Sequence, residues 1–150
     1  MLSSANLRTG MARGQSALEF AVVVPALVLM VVIAGDFARA FYTNIALTNA
    51  ARAGAQYGSS SPIAAADANG MKAAALQDGT NVSGISASAS QCTCESGTTV
   101  AACASSYCTN NPQATYVEVD TQATFNTILH YPGIPNSMAL SGKAIMQVQQ

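Results

Sequence analysis

The longest uninterrupted pattern in the chain is an apolar run from Ala21 to Gly35, free of charge and bracketed by Glu19 and Asp36. The 16 residues between those carboxylates would reach about 24 Å as a helix, short of a hydrocarbon core about 30 Å thick. Counted from Gln15 the run holds 21 residues, about 31 Å, and it spans if Glu19 is interfacial or partnered. A removed secretory signal is the competing reading, but its apolar region is normally about 7–15 residues. No A-x-A-like site stands out among the alanines from Ala34 to Ala40. Residues 15–35 are therefore read as a transmembrane helix.

The helical pattern does not stop at Asp36. Phe37, Phe41 and Ile45 recur at i,i+4, and no breaker intervenes before Gly54. Helix formers continue until Gly58-Ser-Ser-Ser-Pro62 ends the pattern. The expectation is one helix of about 40 residues, apolar in its first half and amphipathic over 36–58, with a kink at Pro25 that membrane helices tolerate. Ala46, Ala50, Gly54 and Gly58 form a stripe of small residues at intervals of four. Such a stripe lets two elements approach closely, and its partner could be another subunit or the chain's own sheet.

Downstream, Ser61-Pro62 can open a second helix, with serine as cap and proline in the first turn. The alanine-rich stretch Ile63 to Leu76 is interrupted by Gly70, so one helix and two short pieces are equally compatible. Asp78-Gly79 marks a turn. The last third alternates with a period of two: Val117, Val119, Thr121, Ala123 and Phe125 against Tyr116, Glu118, Asp120, Gln122 and Thr124. Leu140, Ala144, Met146 and Val148 alternate with Ser141, Lys143 and Gln147, Ile145 being the exception. Tyr131-Pro-Gly-Ile-Pro-Asn136 is a loop, and Val82 to Ala89 a weaker strand. The fold class is α+β, a long N-terminal membrane-spanning helix followed by a small three-stranded antiparallel sheet domain over 59–150.

Charge sets orientation. Arg8 and Arg13 precede the span, with no acid before Glu19; positive residues stay in the cytoplasm, so the rest lies outside. Arg39 and Arg52 argue mildly the other way, an objection weakened if Arg39 pairs with Asp36 at i,i+3. Net charge of −1 offers no footprint for nucleic acid.

Cys92, Cys94, Cys103 and Cys108 cluster on this outer side, where two structural disulfides are expected. A direct Cys92–Cys94 bridge would be strained, which leaves 92–103 with 94–108 or the slightly favoured nested 92–108 with 94–103. Staples suit a segment, Ser83 to Val100, that has little but Ser, Ala, Gly and Thr to bury. A zinc site fits this spacing poorly, and the C-x-x-C of a redox site is missing.

No catalytic residue, metal site, cofactor or small-molecule substrate is expected. His130, the sole histidine, sits at a strand end as an ordinary solvated loop residue. Glu118 and Asp120 are read as a solvated strand face rather than an acid/base pair. Nucleophile-elbow, zinc-protease, Walker and dinucleotide motifs are missing, and Asn81-Val-Ser83 carries little weight as a glycosylation acceptor.

The segment Arg13-Gly-Gln-Ser-Ala-Leu-Glu-Phe-Ala21, with Phe41-Tyr and Ala46-Leu-Thr-Asn-Ala-Ala-Arg-Ala-Gly54, resembles the TadE family, pilin-like proteins of the Flp/Tad (tight adherence) pilus and secretion machinery. Gly14 followed at the fifth position by Glu19 resembles the class III prepilin signal. The resemblance implies a pilin-like fold and a cytoplasmic leader over 1–14, cut by a prepilin peptidase between Gly14 and Gln15. It implies that Glu19, with Phe20 behind it, is the assembly group, pairing with the amino terminus of a neighbouring subunit. The implied setting is the bacterial inner membrane, amino end cytoplasmic, outer domain periplasmic or extracellular. The implied partners are the lipid bilayer, the peptidase, other Tad pilins and inner-membrane platform proteins. Length favours a minor pilin or pseudopilin over a small major pilin. An uncleaved, membrane-anchored periplasmic scaffold or binding protein is the alternative. A periplasmic metal or redox enzyme would instead keep its thiols free or metal-bound.

Overall fold

The computed structural model describes residues 12–95, 98–99, 114–130, 133 and 135–149. The chain divides into two units, Met1–Ala38 and Arg39–Gln150. Helix α1, Ala12–Ser59, is 48 residues long and continuous through Pro25. Its start lies three residues ahead of Gln15, so the helix exceeds the 40 residues expected from pattern alone.

In the first unit, α1 presents apolar side chains outward: Leu18, Phe20, Val22, Leu27, Val28, Leu29, Met30 and Val31 are each more than half exposed. The helix is long and apolar enough to cross a membrane, with a window of mean hydropathy 2.7 and none of that window buried.

In the second unit, residues 39–59 of α1 lie across one face of an antiparallel sheet. Helices α2 (Pro62–Ala66) and α3 (Ala68–Asp78) follow, then β1 (Ser86–Glu95), the two-residue β2 (Thr98–Thr99), β3 (Thr115–Asn126) and β4 (Ser137–Gln147). The strand order is β2-β1-β3-β4. Three of the strands are long, β3 and β4 where the alternation indicated them; β2 adds a short edge through Cys94↔Thr99 and Glu95↔Thr98. The weak strand expected over 82–89 begins instead at Ser86. Gly84 adopts φ +70, a conformation that glycine alone takes cheaply, and this turn separates Val82 from β1. Val82 packs with Leu47 and Ala123.

Ser61 does cap α2, its hydroxyl accepting from the Ala64 N–H at 3.2 Å. The alanine-rich stretch forms two helices, but they part at Asp67, not at Gly70. Asp67 caps α3 by accepting the Gly70 N–H at 2.9 Å and also accepts the Tyr57 hydroxyl at 3.1 Å. Gly70 is there because a Cβ would strike the Tyr57 ring and the Asp67 carboxylate.

The core resolves the role of the small-residue stripe. Ala50, Gly54 and Gly58 are buried, in a layer where Ala51 and Ala55 meet Met71, Ala75, Val117, Val119 and Ala144. A Cβ on Gly54 would lie 2.7 Å from the Met71 carbonyl and 3.1 Å from a Val119 methyl. The stripe thus brings α1 onto its own sheet and α3. Opposite it, Gly142 approaches α1 so closely that a Cβ would lie 2.5 Å from the backbone of Leu47 and Thr48. Across the strand pair from Gly142, the buried Thr121 hydroxyl donates to the Leu47 carbonyl at 2.8 Å, which satisfies a polar group that would otherwise be costly to bury.

Candidate functional site

The sequence-derived site residues fall in separate places. Gly14 and Gln15 belong to the first turn of α1; their side chains lie outside the described residues. Glu19 and Phe20 follow on the same helix, both exposed, with Phe20 at 70%. Leu18, Glu19, Val22 and Val23 line a shallow, mostly apolar groove. A single carboxylate therefore sits on an otherwise greasy helix surface, one turn past Gln15.

Cys92 and Cys94 lie on β1, Cys92 opposite Tyr116 of β3 and Cys94 opposite Thr99 of β2. Period-two geometry puts them on the sheet face turned away from α1. Both are buried, and neither is a free thiol. The Cys94 N–H donates to the Ala114 carbonyl at 3.0 Å. Cys103 and Cys108 lie outside the described residues.

The same outer face carries Glu118 and Asp120. The sequence reading left both in solvent, but Glu118 is buried to 8% exposure. Lys143, on the neighbouring strand, reaches Glu118 Oε1 at 2.7 Å and Asp120 Oδ1 at 3.5 Å. The register explains it: Lys143 pairs directly with Asp120 and lies diagonal to Glu118, within reach of a long side chain. A carboxylate held by an ammonium is a poor proton acceptor, so the triad reads as a structural clasp. The hydrogen bond to Glu118 and the nearby acidic charges hold the Lys143 ammonium above its ordinary range, against a smaller opposing effect of desolvation. Because the folded pKa is raised, this stabilisation is complete below pH 10.5 and fades as pH rises through the raised value. We expect Lys143→Met to destabilise the unit by about 1 kcal/mol by stranding Glu118; chemical denaturation at pH 7 measures it, and an unchanged midpoint would refute the clasp.

His130 is exposed in the β3–β4 loop. Among the described residues no group of three or more His, Cys, Asp or Glu could hold a metal ion. Sequence reasoning missed a polar recess lined by Arg39, Thr43, Asn81, Ser83, Thr124 and Asn126, beside which the Arg39 guanidinium stacks 5.3 Å over the Phe125 ring. No sequence signal joins these residues, since they come from three separate segments.

The Tyr57–Asp67 pair was also unforeseen. Asp67 is held below its ordinary pKa by the Gly70 N–H and then by the Tyr57 hydroxyl; Tyr57 is raised chiefly by that same bond. A depressed carboxylate stabilises above its unfolded value of 3.8 and loses that contribution as pH falls through its folded value. Asp67→Ala is expected to lower the melting temperature at pH 7, the gap from the parent narrowing below pH 3.8. A gap that stays constant with pH would show that the charge contributes nothing.

One stretch of α1 has relatives. Residues 14–56 match the protein family described as TadE-like protein. The chain carries a TadE-like segment. It opens at Gly14, takes in the whole apolar run, and ends inside the stripe that seats α1 on the sheet. The TadE-like segment and its apolar helix together fit a membrane-anchored protein. No curated protein and no solved structure matches the chain.

Proposed function

We propose that the protein is a pseudopilin or minor pilin that acts in assembly of a Flp/Tad pilus. The observation that carries this reading is the position of the TadE-like match: it starts at Gly14 and runs without a break along the helix that is both apolar anchor and core element. A TadE-like segment points to a protein associated with the Tad pilus. In this reading residues 1–14 are a cytoplasmic leader, and a prepilin peptidase cuts after Gly14. The cut leaves a new ammonium on Gln15, four residues before Glu19. An ammonium and a carboxylate are each costly in hydrocarbon and neutralise one another when subunits dock. The sheet unit lies outside the membrane, where Cys92 and Cys94 join Cys103 and Cys108 in two disulfides. The burial of Cys92 and Cys94, and the lack of a free thiol at either, support that part.

The test is the intact mass of the non-reduced, membrane-extracted protein, with and without a cognate prepilin peptidase. A mass shorter by residues 1–14 and by four hydrogens is expected. Full-length protein in the presence of the peptidase would favour a permanently anchored scaffold.

A further inference from the structure

We infer that the β3–β4 hairpin tip is a second membrane contact, inserting Ile128 and Leu129 into the headgroup and acyl boundary of the bilayer that holds the anchor. The inference rests on the membrane-anchored reading of α1. Its first support is the end of the unit at which the tip lies. Successive contacts run in order along α1 and β3: Gly58 against Val117, Gly54 against Val119 and Leu47 against Thr121. Arg39 over Phe125 completes the series. β3 therefore descends antiparallel to α1, and the hairpin turns beyond Phe125, at the end where the chain enters the unit from the anchor.

The second support is the tip's chemistry. The hairpin neck is closed by Asn126↔Ser137 and by the Thr127 N–H donating to the Asn136 carbonyl at 3.0 Å. Just beyond it Ile128 is 61% and Leu129 44% exposed. Between Asp120 and Lys143 the sequence has no acidic or basic residue except His130. An exposed apolar pair on an uncharged hairpin is out of place in water. At a bilayer boundary, histidine and backbone face the headgroups while Ile128 and Leu129 face the acyl chains. The apolar run ends at Gly35, four residues before Arg39, so a bilayer that holds this run supplies the apolar phase without a further partner.

The chain has no tryptophan, so a single introduced one reports its own surroundings. The full-length protein would be placed in phosphatidylcholine vesicles with brominated acyl chains as Leu129→Trp, Val28→Trp in the apolar run, or Ile63→Trp at the far end of the unit. Quenched, blue-shifted emission is expected from Leu129→Trp and Val28→Trp, and unquenched, red emission from Ile63→Trp. If Val28→Trp is quenched and Leu129→Trp is not, the tip stands in water and the inference falls while the anchor survives. Blue-shifted but unquenched Leu129→Trp would mean that a protein surface, such as a second copy, covers the tip, which also overturns it. An unquenched Val28→Trp removes the anchor reading and the inference together.

Discussion

Gly142→Val should unfold the sheet unit at a temperature at least about 10 °C below the parent. On an ordinary strand position the exchange is favourable, since valine suits a pleated surface and glycine is an entropic liability of about 0.5–1 kcal/mol. At this position a Cβ would sit 2.5 Å from the Leu47 carbonyl carbon and the Thr48 nitrogen. Those are helix backbone atoms, fixed by their own hydrogen bonds, and unlike a flexible side chain they cannot swing aside. Overpacking of this kind costs about 1–3 kcal/mol and occasionally more, and a rigid neighbour puts the cost at the upper end. About 2–3 kcal/mol corresponds to roughly 10–20 °C for a unit of this size. The clash therefore outweighs the propensity gain. Ser141→Val, one residue away on the exposed face, is the matched control and should melt close to the parent. Circular dichroism melts in one detergent would compare them. A Gly142→Val melt within a few degrees of Ser141→Val would show that the helix does not press on the strand as described.

Glu19→Gln is expected to separate maturation from assembly. Glutamine keeps the size and hydrogen-bonding capacity of glutamate and removes only the charge. The cut after Gly14 should proceed, giving the shortened mass. In the proposed function, what is lost is the partner for the new ammonium of a docking neighbour. An unpaired cation in the bilayer interior costs about 2.5–3.5 kcal/mol on insertion scales, so the amount of this subunit in sheared filaments should fall on the order of a hundredfold. Normal incorporation would refute the pairing role. A failure to be cut would move the role of Glu19 from docking to peptidase recognition.

The parts of this fold that are legible in sequence are those where one face of a regular element carries a strong hydrophobic signal. The apolar run of α1 and the alternation of β3 and β4 are of this kind. β1 is harder because its alternation is between serine and alanine, Ser86-Ala-Ser-Ala-Ser90, where the two faces differ by a hydroxyl rather than by bulk. Its inward alanines, Ala87 and Ala89, still pack against the core. The break between α2 and α3 was invisible for a different reason. Gly70 looked like the interruption, yet it is a packing glycine under Tyr57, and Asp67 makes the break through its cap. Tyr57 lies ten residues earlier on another helix, and no local pattern announces it.

Among the candidate site residues, Glu19 and the cysteines are prominent in the sequence because unusual residue types in unusual surroundings stand out. The Glu118–Lys143–Asp120 clasp was not, since its members lie 23 and 25 positions apart and meet only through strand register. Thr121 looked like one more inward residue of an alternating strand. Its bond to Leu47 depends on how close α1 comes, and that is fixed by Gly142 and the small-residue stripe together.

The antiparallel alignment of α1 with β3 also has a mechanical meaning. A pull along α1 runs parallel to the plane in which helix and sheet touch, so it loads their contacts sideways and all at once. Peeling would break them one after another from an end. Gly54 against Val119, Leu47 against Thr121 and Arg39 against Phe125 would have to slip together, with Gly142 wedged against the helix backbone. Tension arriving through the anchor is thereby shared along the seam, and the unit resists being dragged off its own helix.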